Sequence, residues 1–402
     1  MRNTFRTMVA AIILFASCQK ENMQNKTTDN SSKPSSLTKE MVEENGNNPD
    51  ETAVSSNTSA ERTGLKGHVY IETNDAAGNA IIVYNQQSNG ELVWASQTWS
   101  GGKGAGAGLG SQGALTIDKT HQWLFAVNAG SNSVSSFKIQ GDGSLKLADT
   151  KSSGGIMPIS LTVHGEYLYV VNSTSSDISG FKIWGDGKLQ AIQGSYQKLS
   201  NTSAGPAEIA FSPGGAALFI TEKATNKITA FAVNSNGVAY NKVVNTSTGN
   251  TPFGFDFARD KYLIVTNADG GNANTSTCTS YRGLDNLYIS PVNGKVANGQ
   301  TAVCWVATAK FGRFAYTANT GSNNITSYFI DAFGNIYFIP WFTAAAGQKP
   351  ADIIVSEDNR FVYNINGGNH TIGEYRRGLL GGLHNIGYIS SIPNFAAGLV
   401  AY

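Results

Sequence analysis

The chain has 402 residues, of which 45 are glycine, 41% are hydrophobic and only 14% are charged. Glycine is unfavourable inside helices, so this composition excludes a helical bundle and indicates a turn-rich, all-β protein. The formal net charge of +1 provides no basic surface, and we therefore expect no nucleic-acid partner.

The first element along the chain is an export signal. Two arginines precede an apolar stretch at residues 9–16, which is too short to span a bilayer. The sequence LFASC at residues 14–18 resembles a bacterial lipobox, in which the cysteine becomes the acylated first residue of the mature lipoprotein. This resemblance implies a signal peptide over residues 1–17 and lipidation of Cys18, and an ordinary unmodified cysteine is the alternative.

A polar segment follows the cysteine. Residues 19–22, QKEN, resemble the short signal that directs Bacteroidota lipoproteins to the outer face of the outer membrane. Because residues 18–63 contain almost nothing apolar, we predict a disordered tether with an end-to-end distance of roughly 35–40 Å. We expect a lipoprotein of the outer membrane, exposed at the cell surface, that meets the membrane only through its lipid anchor.

A repeated unit of about four strands begins near residue 66. The second strand of each unit ends in asparagine, with Glu222 as the exception, and the spacing of roughly 49 residues is typical of propeller blades. The seven marker positions are Asn74, Asn128, Asn172, Glu222, Asn267, Asn319 and Asn366.

The two ends of the repeat region complement each other. The region starts with a second strand at residues 68–71 and stops with an inner strand at residues 397–401. Joining the two ends in one blade removes the open sheet edges that an incomplete blade would leave. We therefore predict that residues 64–402 form a single all-β domain, a seven-bladed β-propeller whose first blade is closed by the C-terminal strand.

The glycine-rich segment before the second blade requires a separate interpretation. Gly108, Gly110 and Gly113 match the G-x-G-x-x-G spacing of dinucleotide-binding loops. The motif needs a helix after the loop, but the short apolar runs at residues 114–128 indicate a β-hairpin. We expect no cofactor here and predict that the glycines let the backbone pass close to the central channel.

The repeat region resembles the lactonase-type seven-bladed propeller family, which includes bacterial 6-phosphogluconolactonases and fungal carboxymuconate cyclases. The best local matches are GLGSQGAL followed by FAVNAGSNSVSSF, the segment ANGQTAVCWVATAKFGRFAYTANTGSNNITSY, and the closing AAGLVAY. The resemblance implies a ligand site at one mouth of the channel. Family enzymes often carry Gly-Pro-Arg-His there, whereas this chain has GPAE at residues 205–208 and KPAD at residues 349–352. The basic pair is absent from both stretches.

Two glutamates are the catalytic candidates. Glu208 begins an inner strand and Glu222 ends its hairpin partner, so the pair is expected to lie roughly opposite each other. Two adjacent carboxyl groups would raise the pKa of one of them and could act as a general acid and base. The alternative is a pair of solvated glutamates on facing sides of the ribbon.

The ligand-binding candidates are residues expected at the channel mouth, where amides or an aromatic ring could contact a sugar or a small acid. The same residues could instead cap turns or fill the space between blades. The candidates are Trp305, Asp352, Asn128, Asn172, Asn267, Asn319 and Asn366. The five histidines include no pair at metal-ligand spacing, so we predict neither a metal site nor a cofactor.

Cys278 and Cys304 could form a disulfide in an exported protein, or remain separate. For function we expect a monomeric binding or scaffold module that takes a small molecule, glycan or protein at the channel mouth. The alternative is a lactonase-like hydrolase or cyclase acting on a sugar lactone or a small carboxylic acid.

Overall fold

The computed structural model describes residues 65–402 as seven antiparallel sheets arranged as the blades of a β-propeller. The predicted signal peptide, the lipidation site Cys18 and most of the predicted tether lie outside the described residues. Within residues 65–402, no helix has the length and apolar character needed to cross a membrane.

Each blade places one strand at the channel and a second strand directly outside it. The inner strands, in blade order, are β29 (Ala397–Ala401), β4 (Leu115–Ile117), β8 (Pro158–His164), β13 (Pro206–Phe211), β17 (Pro252–Ala258), β21 (Val303–Thr308) and β25 (Pro350–Val355). The second strands are β1 (Leu65–Glu72), β5 (Trp123–Asn128), β9 (Tyr167–Asn172), β14 (Ala217–Glu222), β18 (Tyr262–Asn267), β22 (Phe314–Asn319) and β26 (Phe361–Asn366).

The third and outer strands complete the blades. The third strands are β2 (Ala80–Gln87), β6 (Ser133–Ile139), β10 (Asp177–Ile183), β15 (Lys227–Val233), β19 (Thr277–Arg282), β23 (Asn324–Ile330) and β27 (Thr371–Arg377). The outer strands are β3 (Leu92–Trp99), β7 (Leu145–Ser152), β11 with β12 (Leu189–Ala191, Gln197–Lys198), β16 (Ala239–Thr246), β20 (Ser290–Ala297), β24 (Ile336–Ala345) and β28 (Leu383–Ser390). Short 3-10 turns lie at Ala129–Ser131, Asp269–Gly271, Leu284–Asn286 and Lys310–Gly312.

The ring closes as the sequence predicts. Strand β29 pairs antiparallel with β1, with Val400 opposite Tyr70. The backbones of His68 and Tyr402 exchange two hydrogen bonds of 2.7 and 3.0 Å. The seven inner strands contact one another in a closed circle that includes β29. The predicted blade count and closure are confirmed.

The hydrophobic core lies between neighbouring blades rather than at the centre of the ring. Second strands are almost completely buried because both of their faces pack on adjacent sheets, whereas the outer strand β20 alternates exposed and partly buried residues. Large side chains such as Phe125, Tyr169 and Phe219 are fully buried in these inter-blade clusters. Packing between blades therefore stabilises the ring, and polar side chains can line the central channel.

Two turns with the sequence Gly-Asp-Gly, at residues 141–143 and 185–187, contribute to packing between blades. Gly187 ends one such turn with φ of +82°, and a Cβ atom there would lie 2.1 Å from the Trp123 ring of the preceding blade. The other glycine of the turn, Gly185, has no neighbour within 4 Å of the corresponding position.

We expect Gly187→Ala to destabilise the protein by about 2–4 kcal/mol, because it combines an unfavourable backbone conformation with a steric clash. Chemical denaturation monitored by tryptophan fluorescence would measure this loss. Gly185→Ala, in the same turn, is the matched control and is expected to change stability by less than about 0.5 kcal/mol. Equal effects of the two substitutions would contradict the packing role of Gly187.

Candidate functional site

The glycine-rich segment that precedes β4 crosses the channel. Gln112 extends from this loop to the opposite side of the ring, where its Nε2 donates to the backbone oxygens of Phe255 (3.2 Å) and Val306 (2.9 Å). Its Oε1 accepts a hydrogen bond from the Val306 N–H at 3.0 Å. Gly254 permits this approach, since a Cβ atom there would lie 2.3 Å from Gln112 Oε1. No helix follows the loop, so the predicted hairpin is confirmed.

Further bonds fix the position of the loop. Ser111 Oγ donates to the Ile159 carbonyl at 2.8 Å, and Trp305 Nε1 donates to the Ser111 carbonyl at 2.9 Å. The Asn74 side chain accepts a hydrogen bond from the Ala105 N–H through Oδ1 and donates one to the Ala107 carbonyl through Nδ2, both at 2.7 Å. Lys223 Nζ donates to the Gly110 carbonyl. The loop therefore closes part of the channel and leaves an opening beside it.

That opening is a cleft of about 500 Å³ between the loop and blades 6, 7 and 1. It combines backbone, acidic, basic and aromatic groups, and we refer to it as the mouth cleft. Its lining residues are Ala107–Ser111, Trp305, Thr320, Lys349, Ala351, Asp352, Gly367, Gly368, His370 and Asn394–Ala397.

Asp352 lies on the inner strand of blade 7 and lines the mouth cleft, as its predicted position at the channel mouth requires. Its Oδ2 accepts the Gly398 N–H of the closing strand at 3.0 Å. Burial, with 5% of the residue exposed, raises the pKa of the carboxyl group to about 7. This carboxyl group can therefore exchange a proton near neutral pH, and it also ties two blades together.

The same kind of hydrogen bond between neighbouring inner strands recurs around the channel. It forms because an inner strand has an unpaired edge whose N–H groups need acceptors. In three further blades a side chain of one inner strand accepts an N–H of the next. These bonds are Ser160 Oγ to Ile209 N (3.2 Å), Glu208 Oε2 to Phe255 N (2.6 Å) and Asp256 Oδ2 to Thr308 N (2.7 Å). Polar side chains at the channel are thus partly structural.

The predicted pairing of Glu208 and Glu222 is wrong. Glu208 faces the channel, and burial raises its pKa well above the usual range, with Asp256 and Asp352 as the nearby charges. Glu222 instead accepts hydrogen bonds from Ser200, Thr225 and Thr229 at the outer side of its own blade. The carboxyl groups diverge because register places Pro206, not Glu208, opposite Glu222.

The five predicted asparagines are at most 1% exposed and donate to side chains of their own blades, rather than lining the mouth cleft. This arrangement is structural, as in the alternative to ligand binding, but the bonds join the second strand to the third strand and do not cap a turn. The bonds from Nδ2 are Asn128 to Ser135 (2.8 Å), Asn172 to Asp177 (3.0 Å), Asn267 to Thr279 (3.1 Å), Asn319 to Asn324 (2.6 Å) and Asn366 to Thr371 (3.0 Å).

Trp305 forms a wall of the mouth cleft. It is 6% exposed, its Nε1 bonds the glycine loop, and its ring packs 5.0 Å from that of Phe253. The accessible aromatic ring in the cleft belongs to Phe395, which is 44% exposed. Phe395 was not among the predicted binding residues, because its loop shows no strand pattern from which its direction could be read.

Basic groups are also present in the mouth cleft, contrary to the expectation from the missing Arg-His pair. Lys349 and His370 both line it. His370 lies in the turn between β26 and β27, and the fold brings that turn to the cleft. Lys223 lies behind the glycine loop, with Nζ 4.8 Å from the Phe253 ring, and burial lowers its pKa to about 8.

Cys278 is a free, buried thiol, so the Cys278–Cys304 disulfide does not form. Burial raises the pKa of this thiol to about 12, which leaves it protonated and unreactive. Within residues 65–402 there is no group of three or more His, Cys, Asp or Glu residues arranged to hold a metal ion.

Solved structures with the same fold come from several bacteria. A Bacteroides fragilis protein provisionally named a 6-phosphogluconolactonase is 18% identical, with a TM-score of 0.66 over 86% of this chain and 100% of that one. A similarly named Bacteroides uniformis protein is 16% identical, with a TM-score of 0.67 over 84% and 100%. The periplasmic gluconolactonase of Pseudomonas aeruginosa is 17% identical, with a TM-score of 0.64 over 83% and 98%.

At these identities the structural similarity shows the fold alone. No functionally curated protein is detectably similar in sequence. The family model described as "Lactonase, 7-bladed beta-propeller" matches residues 77–202 and 163–284, which together span just over half of the chain. The chain therefore belongs to the lactonase family of seven-bladed β-propellers.

Proposed function

We propose that the protein binds a small polar acid, or the lactone of such an acid, in the mouth cleft. One observation carries the proposal. The five consecutive residues 107–111 line the cleft, and their backbone N–H groups donate to no acceptor within the described chain. Successive unpaired backbone N–H groups in a loop favour anionic or carbonyl oxygens.

The other cleft groups suit the same class of ligand. The Lys349 ammonium adds a positive charge, and the exposed ring of Phe395 offers an apolar face on which a sugar ring can pack. The Asp352 carboxyl group can bond a hydroxyl group in either protonation state. A polyhydroxylated acid such as a sugar acid presents all three kinds of partner.

A second candidate, hydrolysis of a lactone in the same cleft, is favoured by the position and pKa of Asp352. A general base works best when its pKa lies near the working pH, and the value of about 7 meets this condition. The carboxylate would take a proton from water as its oxygen attacks the lactone carbonyl. The ring C–O bond then breaks, and the leaving alkoxide takes the proton back from the Asp352 carboxyl group, which regenerates the carboxylate. Lys349 and the free N–H groups would stabilise the intermediate oxyanion.

We further propose that the protein acts at the cell surface as a lipid-anchored binding module. The support for this is the lipobox-like residues 14–18, the export-type residues 19–22 and the polar composition up to residue 63. Labelling with radioactive palmitate, compared between the natural chain and Cys18→Ala, would test the anchor. Protease treatment of intact cells would test surface exposure.

Isothermal titration with D-gluconate, D-glucono-lactone and a muconate-type acid tests ligand binding. We expect binding of at least the sugar acid in the micromolar to millimolar range, and weaker binding of neutral glucose. A stopped assay of lactone opening, corrected for spontaneous hydrolysis, then separates the two candidates. Binding without turnover supports a binding module, whereas lack of binding by every acid and lactone would contradict the proposed function.

A further inference from the structure

The turn between the second and third strands contains a left-handed residue at the same place in five blades. This residue immediately precedes the third strand or lies at its start, and its backbone oxygen accepts an N–H from the loop that leads to the next inner strand. The five residues and their φ values are Asn132 (53°), Ser176 (50°), Asn226 (54°), Asn323 (54°) and His370 (54°).

The asparagines at this position share a structural role. In each case the side-chain oxygen accepts the N–H of the residue directly before the next inner strand. The bonds are Asn132 to Met157 (2.7 Å), Asn226 to Thr251 (2.7 Å) and Asn323 to Lys349 (2.8 Å). Asparagine suits the position because it tolerates left-handed backbone geometry and supplies this acceptor.

Blade 7 keeps the backbone geometry but does not use the side chain in this way. The His370 carbonyl still accepts the Ile392 N–H at 3.1 Å. However, the N–H that directly precedes the closing strand, that of Ala396, donates to Pro393 within its own loop at 3.1 Å. The role of the asparagine is therefore already filled, and the His370 side chain is not needed to cap the loop.

His370 instead lines the mouth cleft. Its Nδ1 is buried and has no hydrogen-bond partner among residues 65–402. A buried polar atom without a partner is unfavourable, and such atoms in a cleft are satisfied when a ligand or water occupies it. Asp352 and Lys349 are the other side chains with titratable groups that line the same cleft.

We propose that His370 is a ligand-binding residue whose imidazole hydrogen-bonds an oxygen atom of the acid or lactone held in the mouth cleft. The inference rests on the proposed function. It adds one binding residue, His370, which differs from the asparagine found at the same turn position in three other blades. In blade 7 the loop itself provides the acceptor for the N–H that precedes the inner strand.

The repeat supplies the test, because His370→Asn introduces the residue that three other blades carry in the same conformation. In the full-length protein this change is expected to shift the melting temperature by less than about 2 °C, because asparagine tolerates the left-handed backbone conformation at this position. The Kd for D-gluconate, measured by isothermal titration, should rise about tenfold, the effect of losing one hydrogen bond to a charged group. The matched control is His384→Asn, at an exposed position on β28 outside the cleft, which should leave the Kd unchanged.

Ring-proton NMR provides a second readout. Addition of gluconate should shift the His370 signal, identified by its loss in His370→Asn, and leave the His384 signal in place. An unchanged Kd in His370→Asn, or a large fall in its melting temperature with unchanged affinity, would overturn the role of His370 while the proposed function stands. If the natural protein binds neither gluconate nor its lactone, the proposed function fails and this inference fails with it.

Discussion

Deletion of residues 395–402 is expected to prevent the propeller from forming a stable ring. The deletion removes all of β29 and exposes the edge of β1, including the buried Val69 and Ile71. It also removes Tyr402, whose ring stacks on Tyr70 with centroids 6.0 Å apart. Loss of the strand, with its buried apolar area, should cost about 5 kcal/mol or more.

Circular dichroism with thermal melting measures this effect. We expect either insoluble protein or a melting temperature lowered by more than about 15 °C. Tyr402→Phe is the control, because it keeps the strand and removes only the 3.4 Å contact between the Tyr402 and Tyr70 hydroxyl groups. A truncated chain that melts within a few degrees of the natural one would refute closure by the C-terminal strand.

Asp352→Asn is expected to have the largest effect on chemistry if the mouth cleft opens lactones. Asparagine can still accept the Gly398 N–H, so the tie between blades 7 and 1 is kept, but it cannot take a proton from water. Loss of a general base typically lowers the rate by about 10²–10⁴-fold. We expect kcat for lactone opening to fall by at least about 100-fold, with little change in melting temperature.

The pH dependence follows from the same group. A base with a pKa of about 7 is active when ionised, so kcat should rise as the pH increases through about 7 and level off above it. Asp352→Asn should abolish that rise. Glu208→Gln is the comparison, since Glu208 is buried in the channel and does not line the mouth cleft, and it should leave the rate within a few-fold. Equal losses in both variants would remove Asp352 from its proposed role.

Much of the fold could be predicted from the sequence because a propeller is built from local repeats. The spacing of the second-strand markers gives the number of blades, since each hairpin is specified by its own turns and alternating residues. In blade 1, however, the second strand ends at Glu72, and the predicted marker Asn74 lies beyond the strand. The closing role of residues 397–401 follows from counting, because one blade otherwise lacks an inner strand. The placement of Asp352 at the cleft follows from the same register.

The composition of the site depended on tertiary structure. Glu208 and Glu222 are neighbours in their hairpin, but only their distant partners, Phe255 and Ser200, show that one faces the channel and the other faces outward. His370 resembles any turn residue until the fold places that turn beside the cleft.

The sequence by itself determined the strands and their number, because those depend on residue patterns within about 50 positions of each other. The closure of the ring followed from counting the strands of the first and last units. Only the tertiary structure decided that residues 107–113 cross the channel to reach blades 5 and 6, more than 140 residues away along the chain. That crossing leaves an opening beside blades 6, 7 and 1, and so determines which side chains a ligand can reach. The physical reason is that side-chain direction across the channel depends on contacts between blades, and no local sequence pattern records them.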